Sequence, residues 1–221
     1  MKKIIILTLL GFLSISIVKA QNTFNQEFFV GASFGTNFSS VSFAPKVKTK
    51  QLMGYMGGAI VRWNTENHIG LQAELNYSQN GWDEDFSESS NPNYKYSRTI
   101  NYLELPFLTH IFFGGKKARF FINLGPKIGY MLSESTSQNI NGAEISDRVT
   151  EQHNMAVEKK FAWGLCGGPG FELRTGIGLF SLEGRYSYAL GDIYGSRKED
   201  YFPKSSSQVL SVKLSYMIPL F

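Results

Sequence analysis

Apolar and polar residues alternate along most of this chain with a period of two. Ile69, Leu71, Ala73, Leu75 and Tyr77 share one parity, and Gly70, Gln72, Glu74, Asn76 and Ser78 share the other. Phe120, Ile122, Leu124, Pro126, Ile128, Tyr130 and Leu132 oppose Phe121, Asn123, Gly125, Lys127 and Gly129 in the same way. Leu210, Val212, Leu214 and Tyr216 oppose Ser211, Lys213 and Ser215. Successive side chains of a strand point to opposite faces, so each run predicts a strand with one apolar and one polar face. Eight such segments are expected, at 27–38, 51–63, 68–80, 99–113, 119–133, 161–174, 178–190 and 207–218. Each is long enough to cross a bilayer as a tilted strand, which takes about 9–11 residues.

The connections alternate in length. Those at Asn64-Thr65-Glu66-Asn67, Gly114-Gly115-Lys116-Lys117-Ala118 and Thr175-Gly176-Ile177 are short. Those at 39–50, 81–98, 134–160 and 191–206 are long and polar. Short turns on one side and long loops on the other are the pattern of an outer-membrane barrel, with the long loops outside the cell and both termini on the periplasmic side. The expected fold is all-β, an eight-stranded antiparallel up-and-down transmembrane β-barrel preceded by a cleavable signal peptide.

The signal is read at the N-terminus. Lys2 and Lys3 precede an apolar run from Ile4 to Val18, and Val18-Lys19-Ala20 supplies a cleavage site. The run is short for a membrane-spanning helix, which needs about 20 apolar residues. Two regions follow: residues 1–20 as signal peptide and residues 21–221 as the barrel domain. The net charge of +4 includes Lys2, Lys3 and Lys19, and without them it is +1, so nucleic-acid binding loses its electrostatic support. Cys166 is the single cysteine, which excludes an intrachain disulfide.

Period alone does not say which face points inward, and a lipocalin-like soluble barrel shares it. Glycines crowd the polar face at 54, 58, 125, 129, 164, 168 and 170, as a narrow lumen requires. Aromatics mark both ends of the apolar face. Phe34, Tyr55, Tyr77, Tyr130, Trp163 and Tyr188 fall near the outer interface; Trp63, Phe113, Phe120, Phe171 and Phe180 fall near the periplasmic one. Such girdles are typical of barrels in lipid. The parity then sends Glu74, Glu104, Glu172 and Glu183 into the lumen with Arg62, Lys127, Arg174, Arg185 and Lys213. An eight-stranded barrel is just wide enough for side chains to fill it, and unpaired ions there are costly. The expectation is a lumen plugged by a salt-bridge network.

Four segments carry a family resemblance. Tyr102-Leu103-Glu104-Leu105-Pro106-Phe107, Asn123-Leu124-Gly125-Pro126-Lys127-Ile128-Gly129-Tyr130-Met131-Leu132, Gly164-Leu165-Cys166-Gly167-Gly168-Pro169-Gly170-Phe171-Glu172 and Ser181-Leu182-Glu183-Gly184-Arg185-Tyr186-Ser187-Tyr188 with Leu190-Gly191-Asp192-Ile193 resemble successive strands of the PorT-like outer-membrane barrels of Bacteroidota. The resemblance implies an outer-membrane β-barrel of the porin family, most of whose members have no assigned ligand. The founding member is tied to protein secretion, a role these strand-packing motifs do not carry over. Barrels of this class usually end with an aromatic residue preceded by alternating apolar residues. Here Met217-Ile218-Pro219-Leu220-Phe221 puts a proline near the end, and the last strand is expected to stop at about Met217.

Candidate chemistry is sparse. His68, His110 and His153 fall in three different parts of the map, and neither they nor Cys166 has metal-ligand spacing. Gly167-Gly168-Pro169-Gly170 lies in a strand and lacks the Lys and helix of a phosphate loop. Asp83-Glu84-Asp85 reads as a solvated acidic turn. The expectation is therefore no enzyme, no cofactor and no metal. The expected partners are outer-membrane lipid and lipopolysaccharide, the barrel assembly machinery, and an envelope or extracellular protein met by the long loops. The functional expectation is a structural or interaction barrel. The alternatives are a narrow porin or specific transporter, an accessory barrel in secretion and, last, a lipid-modifying enzyme.

Overall fold

The alternation closes into a ring. The computed structural model describes residues 25–87, 93–139, 152–153, 155–195 and 201–220. The signal segment and Phe221 lie outside the described residues. The strands are β1 (Glu27–Ala44), β2 (Thr49–Lys50), β3 (Leu52–Asn64), β4 (Ile69–Glu84), β5 (Lys95–Gly114), β6 (Ala118–Asn139), β7 (Phe161–Thr175), β8 (Gly178–Asp192) and β9 (Lys204–Pro219). β2 is a two-residue piece that pairs with β4 and continues the line of β3 beyond Gln51, so the wall has eight staves. Each stave pairs antiparallel with its neighbours in sequence, and β1 closes the ring on β9 over the run Phe29↔Pro219 to Ala44↔Lys204.

The apolar face points out. Phe34 is 62% exposed, Leu124 60% and Leu214 63%, whereas Arg62 and Lys213 are each 1% exposed. In water this would be an inside-out protein. In hydrocarbon it is the only economical one, because a closed barrel pairs its backbone polar groups between strands and turns its apolar side chains to lipid. Among the described residues no helix is long and apolar enough to cross a membrane; the strands make the crossing.

Three prolines sit within the wall, Pro106 in β5, Pro126 in β6 and Pro169 in β7. Each lacks an N–H, and the ladder skips at each. β4–β5 pairing passes from Ala73↔Phe107 to Asn76↔Glu104, β5–β6 from Pro106↔Lys127 to Thr109↔Leu124, and β7–β8 from Gly167↔Tyr186 to Gly170↔Glu183. Register is kept across every skip. Glycine precedes two of these prolines for a steric reason: a Cβ on Gly125 would stand 1.9 Å from the Phe107 carbonyl oxygen, and one on Gly168 would stand 1.9 Å from that of Gly184.

Two expectations are corrected. Several strands run further outward than 27–38, 68–80, 99–113 and 119–133. Ser40–Ala44 pairs with 204–208 and Lys95 pairs with Asn139. These extensions are Ser-rich, so their composition reads as loop, but strand pairing above the membrane needs no lipid-facing apolar residues. The last strand also does not stop at Met217. Pro219 pairs with Phe29, and the Leu220 amide donates to the Phe28 carbonyl at 2.8 Å. Pro219 occupies a non-hydrogen-bonded position against β1. Its nitrogen points toward β8, which begins only at Gly178, so no ladder bond is lost.

Candidate functional site

The lumen holds the chain's concentrated polar chemistry. Strand parity turns Glu74 inward from β4, Glu183 and Arg185 from β8, and Lys213 from β9, and the four meet. The Arg185 guanidinium donates to both Glu74 oxygens, at 2.9 and 2.7 Å, and through Nε to Glu183 at 2.8 Å. Lys213 Nζ donates to Glu74 at 2.6 Å and lies 3.3 Å from Glu183. Gln72 and Asn76, two residues away on either side along β4, donate to the Glu74 carboxylate at 2.5 and 2.8 Å. Two acids thus face two bases with their hydrogen-bonding capacity largely used, the condition under which buried ions are tolerable.

A second group lies toward the periplasmic end. Arg62 Nη1 donates to Glu172 at 2.6 Å, and Arg62 Nε donates to Gln72 at 2.7 Å, which links the two groups. Arg174 makes a two-pronged contact with Glu27, 2.6 Å on each prong. His110 Nδ1 lies 2.8 Å from Asn123 Oδ1, and Arg119 stacks over Phe112 with its carbon 4.7 Å from the ring centre. Beside these polar groups Phe29, Ile60, Leu179 and Met217 form a small apolar core. Glu104 and Lys127 form a third, separate pair at 2.8 Å, with Asn80 donating to Glu104 at 3.2 Å. Hydrogen bonds from Asn37 to Ser78 and Asn80, at 2.9 and 3.1 Å, and from Ser211 to Asn37 at 2.8 Å, fill the level between.

The nine charged residues expected in the lumen stand in three ion-paired groups, two of them joined through Gln72. Sequence reading missed Glu27 and Arg119 although the signal was present. They share inward parity with Phe29 and Phe121, but stand at strand ends where the pattern is shortest.

The outer end was not anticipated. Val41, Phe43, Trp82, Ile100, Tyr102 and Met131 point inward from the upper strands and pack with Val157, Ile193, Tyr194 and Phe202 from the connecting segments. Polar contacts tie this cap down. Trp82 Nε1 donates to Gln152 at 3.0 Å, and His153 Nε2 lies 2.6 Å from Glu84 with its ring stacked on Tyr96 at 3.8 Å. Arg98 donates to the Met155 carbonyl and, at 3.1 Å, to the Tyr194 hydroxyl, whose own ionisation is pushed up by burial. Below the cap, Glu104, Lys127, Trp163, Ser187 and Asp192 line a cavity of about 40 Å³, room for water but not for a drug-sized solute. At the rim, the Lys50 ammonium hydrogen-bonded to Asp85 holds that carboxyl at about 2. Among the described residues no cluster of His, Cys, Asp or Glu is placed to hold a metal.

A closed eight-stave barrel with a lipid-facing apolar surface and a charged interior defines a class, and the family match agrees with it. The model described as outer membrane protein beta-barrel domain matches residues 19–195, and the chain belongs to this family. It is a small outer-membrane β-barrel protein of the Gram-negative envelope. Among solved structures it is similar to OprG of Pseudomonas aeruginosa, with 14% identity over 87% of this chain and 93% of that one and a TM-score of 0.48. It is also similar to Ail of Yersinia pestis in complex with the heparin analogue sucrose octasulfate (12% identity, 87% and 99% covered, TM-score 0.42). A third is outer membrane protein W of E. coli (15% identity, 88% and 99% covered, TM-score 0.40). No curated protein sequence matches.

Proposed function

We propose that this chain is a barrel with a closed lumen, exported by the signal in residues 1–20, that acts through its outer loops and not as an open pore. It is neither an enzyme nor a cofactor carrier in this reading. The observation that carries it is the outer cap: Trp82, Tyr194 and Phe202 are each fully buried inside the barrel mouth, Trp82 donates to Gln152, and Arg98 joins Tyr194 to Met155. Beneath it Arg62–Glu172 and Lys213–Glu74 pair across the lumen at 2.6 Å, and Glu104–Lys127 pair between neighbouring strands at 2.8 Å. A conducting path would have to break both layers. The partners that suit this surface are outer-membrane lipid with lipopolysaccharide, and an envelope or extracellular protein meeting the loops. The PorT-like strand motifs around Pro106, Pro126 and Pro169 support a barrel of that type. Planar-bilayer recording of the purified protein tests the reading. The expected trace is a silent membrane, and steady large openings would refute it. A pull-down from outer membranes with and without residues 140–151 tests the loop role, with captured partners lost on deletion.

A further inference from the structure

The periplasmic polar group is unusual in what it leaves open. Glu172 Oε1, Arg119 Nη1, Arg174 Nε, His110 Nε2 and Asn123 Nδ2 are buried with no hydrogen-bond partner among the described residues. Five such atoms in one place are not expected, because buried polar atoms nearly always find partners. The distances are equally regular. Glu172 Oε1 lies 3.9 Å from both Arg119 Nη1 and Arg174 Nε, and Glu172 Oε2 lies 3.8 Å from His110 Nε2. Each gap is too long for a direct hydrogen bond and short enough for one small molecule to touch both groups. Glu172, His110 and Asn123 are each fully buried, so bulk solvent does not satisfy them.

From this geometry we infer that Glu172 is the centre of an internal binding site for a small neutral molecule that both donates and accepts hydrogen bonds, and that its occupant is water. The chemistry narrows the class. Arg119 Nη1 and Arg174 Nε only donate, so the occupant must accept. Glu172 Oε1 only accepts, so the occupant must also donate. A halide cannot donate to Glu172. A metal cation would face Arg62, Arg119 and Arg174, which crowd the same carboxylate. A molecule about 2.8 Å from both Oε1 and Arg119 Nη1 closes the 3.9 Å gap at an angle of about 90°, tighter than the tetrahedral angle and open only to an occupant as small as water. The second gap, between His110 Nε2 and Glu172 Oε2, takes another water. With Nδ1 of His110 donating to Asn123 Oδ1, Nε2 is a bare acceptor facing a carboxylate, and one water donating a hydrogen bond to each resolves that conflict. Arg119 and Arg174 are 13% and 19% exposed, so the site exchanges with the periplasm past these two side chains.

A crystal structure of the mature chain at a resolution that orders waters, paired with a sodium bromide soak measured at the bromine edge, decides the matter. The expected result is non-protein density about 2.6–3.2 Å from Glu172 Oε1, Arg119 Nη1 and Arg174 Nε, with no anomalous peak there. Direct closure of either guanidinium onto Oε1 with nothing between them would overturn the inference, and so would a bromide peak at the site. Neither outcome depends on whether the barrel conducts.

Discussion

Arg185 joins two carboxylates from different strands, and its removal should be the most damaging single charge deletion in the lumen. In Arg185→Met, Glu74 loses the bonds at 2.9 and 2.7 Å and Glu183 loses the one at 2.8 Å. Lys213 alone then faces two buried acids, at 2.6 and 3.3 Å. Breaking a buried ion pair by deleting one partner costs about 3–5 kcal/mol, mostly because the other charge is left uncompensated. With a urea slope of about 2 kcal/mol per molar, the unfolding midpoint should fall by about 1.5–2.5 M. The assay is urea unfolding of the refolded protein in lipid vesicles, read by tryptophan fluorescence and by the mobility of the folded band on unheated gels. The double variant Arg185→Met with Glu183→Gln restores the charge balance, since Glu74 keeps Lys213, and should recover at least half of the loss. A single-variant shift below about 0.5 M, or a double variant weaker than the single, would refute the claim that charge compensation governs this layer.

Four further outcomes are expected. Gly168→Ala should destabilise the barrel by at least about 1–3 kcal/mol in the same assay, because its Cβ would stand 1.9 Å from the Gly184 carbonyl oxygen. Leu124→Arg, on the lipid face, should cost about 2–4 kcal/mol in vesicles if that position lies near the bilayer midplane; a neutral result would argue that this face does not meet lipid. Arg98→Met removes the donor that holds the Met155 carbonyl and the Tyr194 hydroxyl, so trypsin added to intact cells should cut at Lys159–Lys160 faster while the folded gel band persists. Carbon-detected NMR titration should find the Asp85 midpoint at about 2, with Lys50→Met returning it toward the ordinary 3.8. Because the folded value is the depressed one, the Lys50–Asp85 contribution to stability is present above pH 3.8 and is lost as pH falls through about 2.

Much of this architecture is legible in the sequence, since a strand's period of two needs no tertiary information. The parity of Leu71, Leu124 and Leu214 against Gln72, Asn123 and Lys213 assigns faces, and the alternation of short and long connections assigns ends. The same parity puts the nine charges on one face of their strands, and Arg62, Glu74, Glu172 and Lys213 are among the most deeply buried residues. Pairing across the lumen is a different matter. Glu74 and Lys213 are 139 residues apart and meet because the ring closes and the strands carry a particular stagger, neither of which local periodicity encodes. That stagger also separates Glu104–Lys127 from the remaining charges and brings Arg62 to Glu172, 110 residues away.

By itself, the sequence determined the strand number and the lipid face, because these depend only on the alternation of side chains along the strands and on the spacing of the segments that show it. The tertiary structure alone decided three things. It sorted the ions into groups, because that depends on register around a closed ring. It carried β9 through Pro219, because a proline is tolerated where its nitrogen faces no partner strand. It also closed the barrel mouth, because Phe43, Trp82, Tyr194 and Phe202 converge only once the upper strands and the loops share one enclosed space.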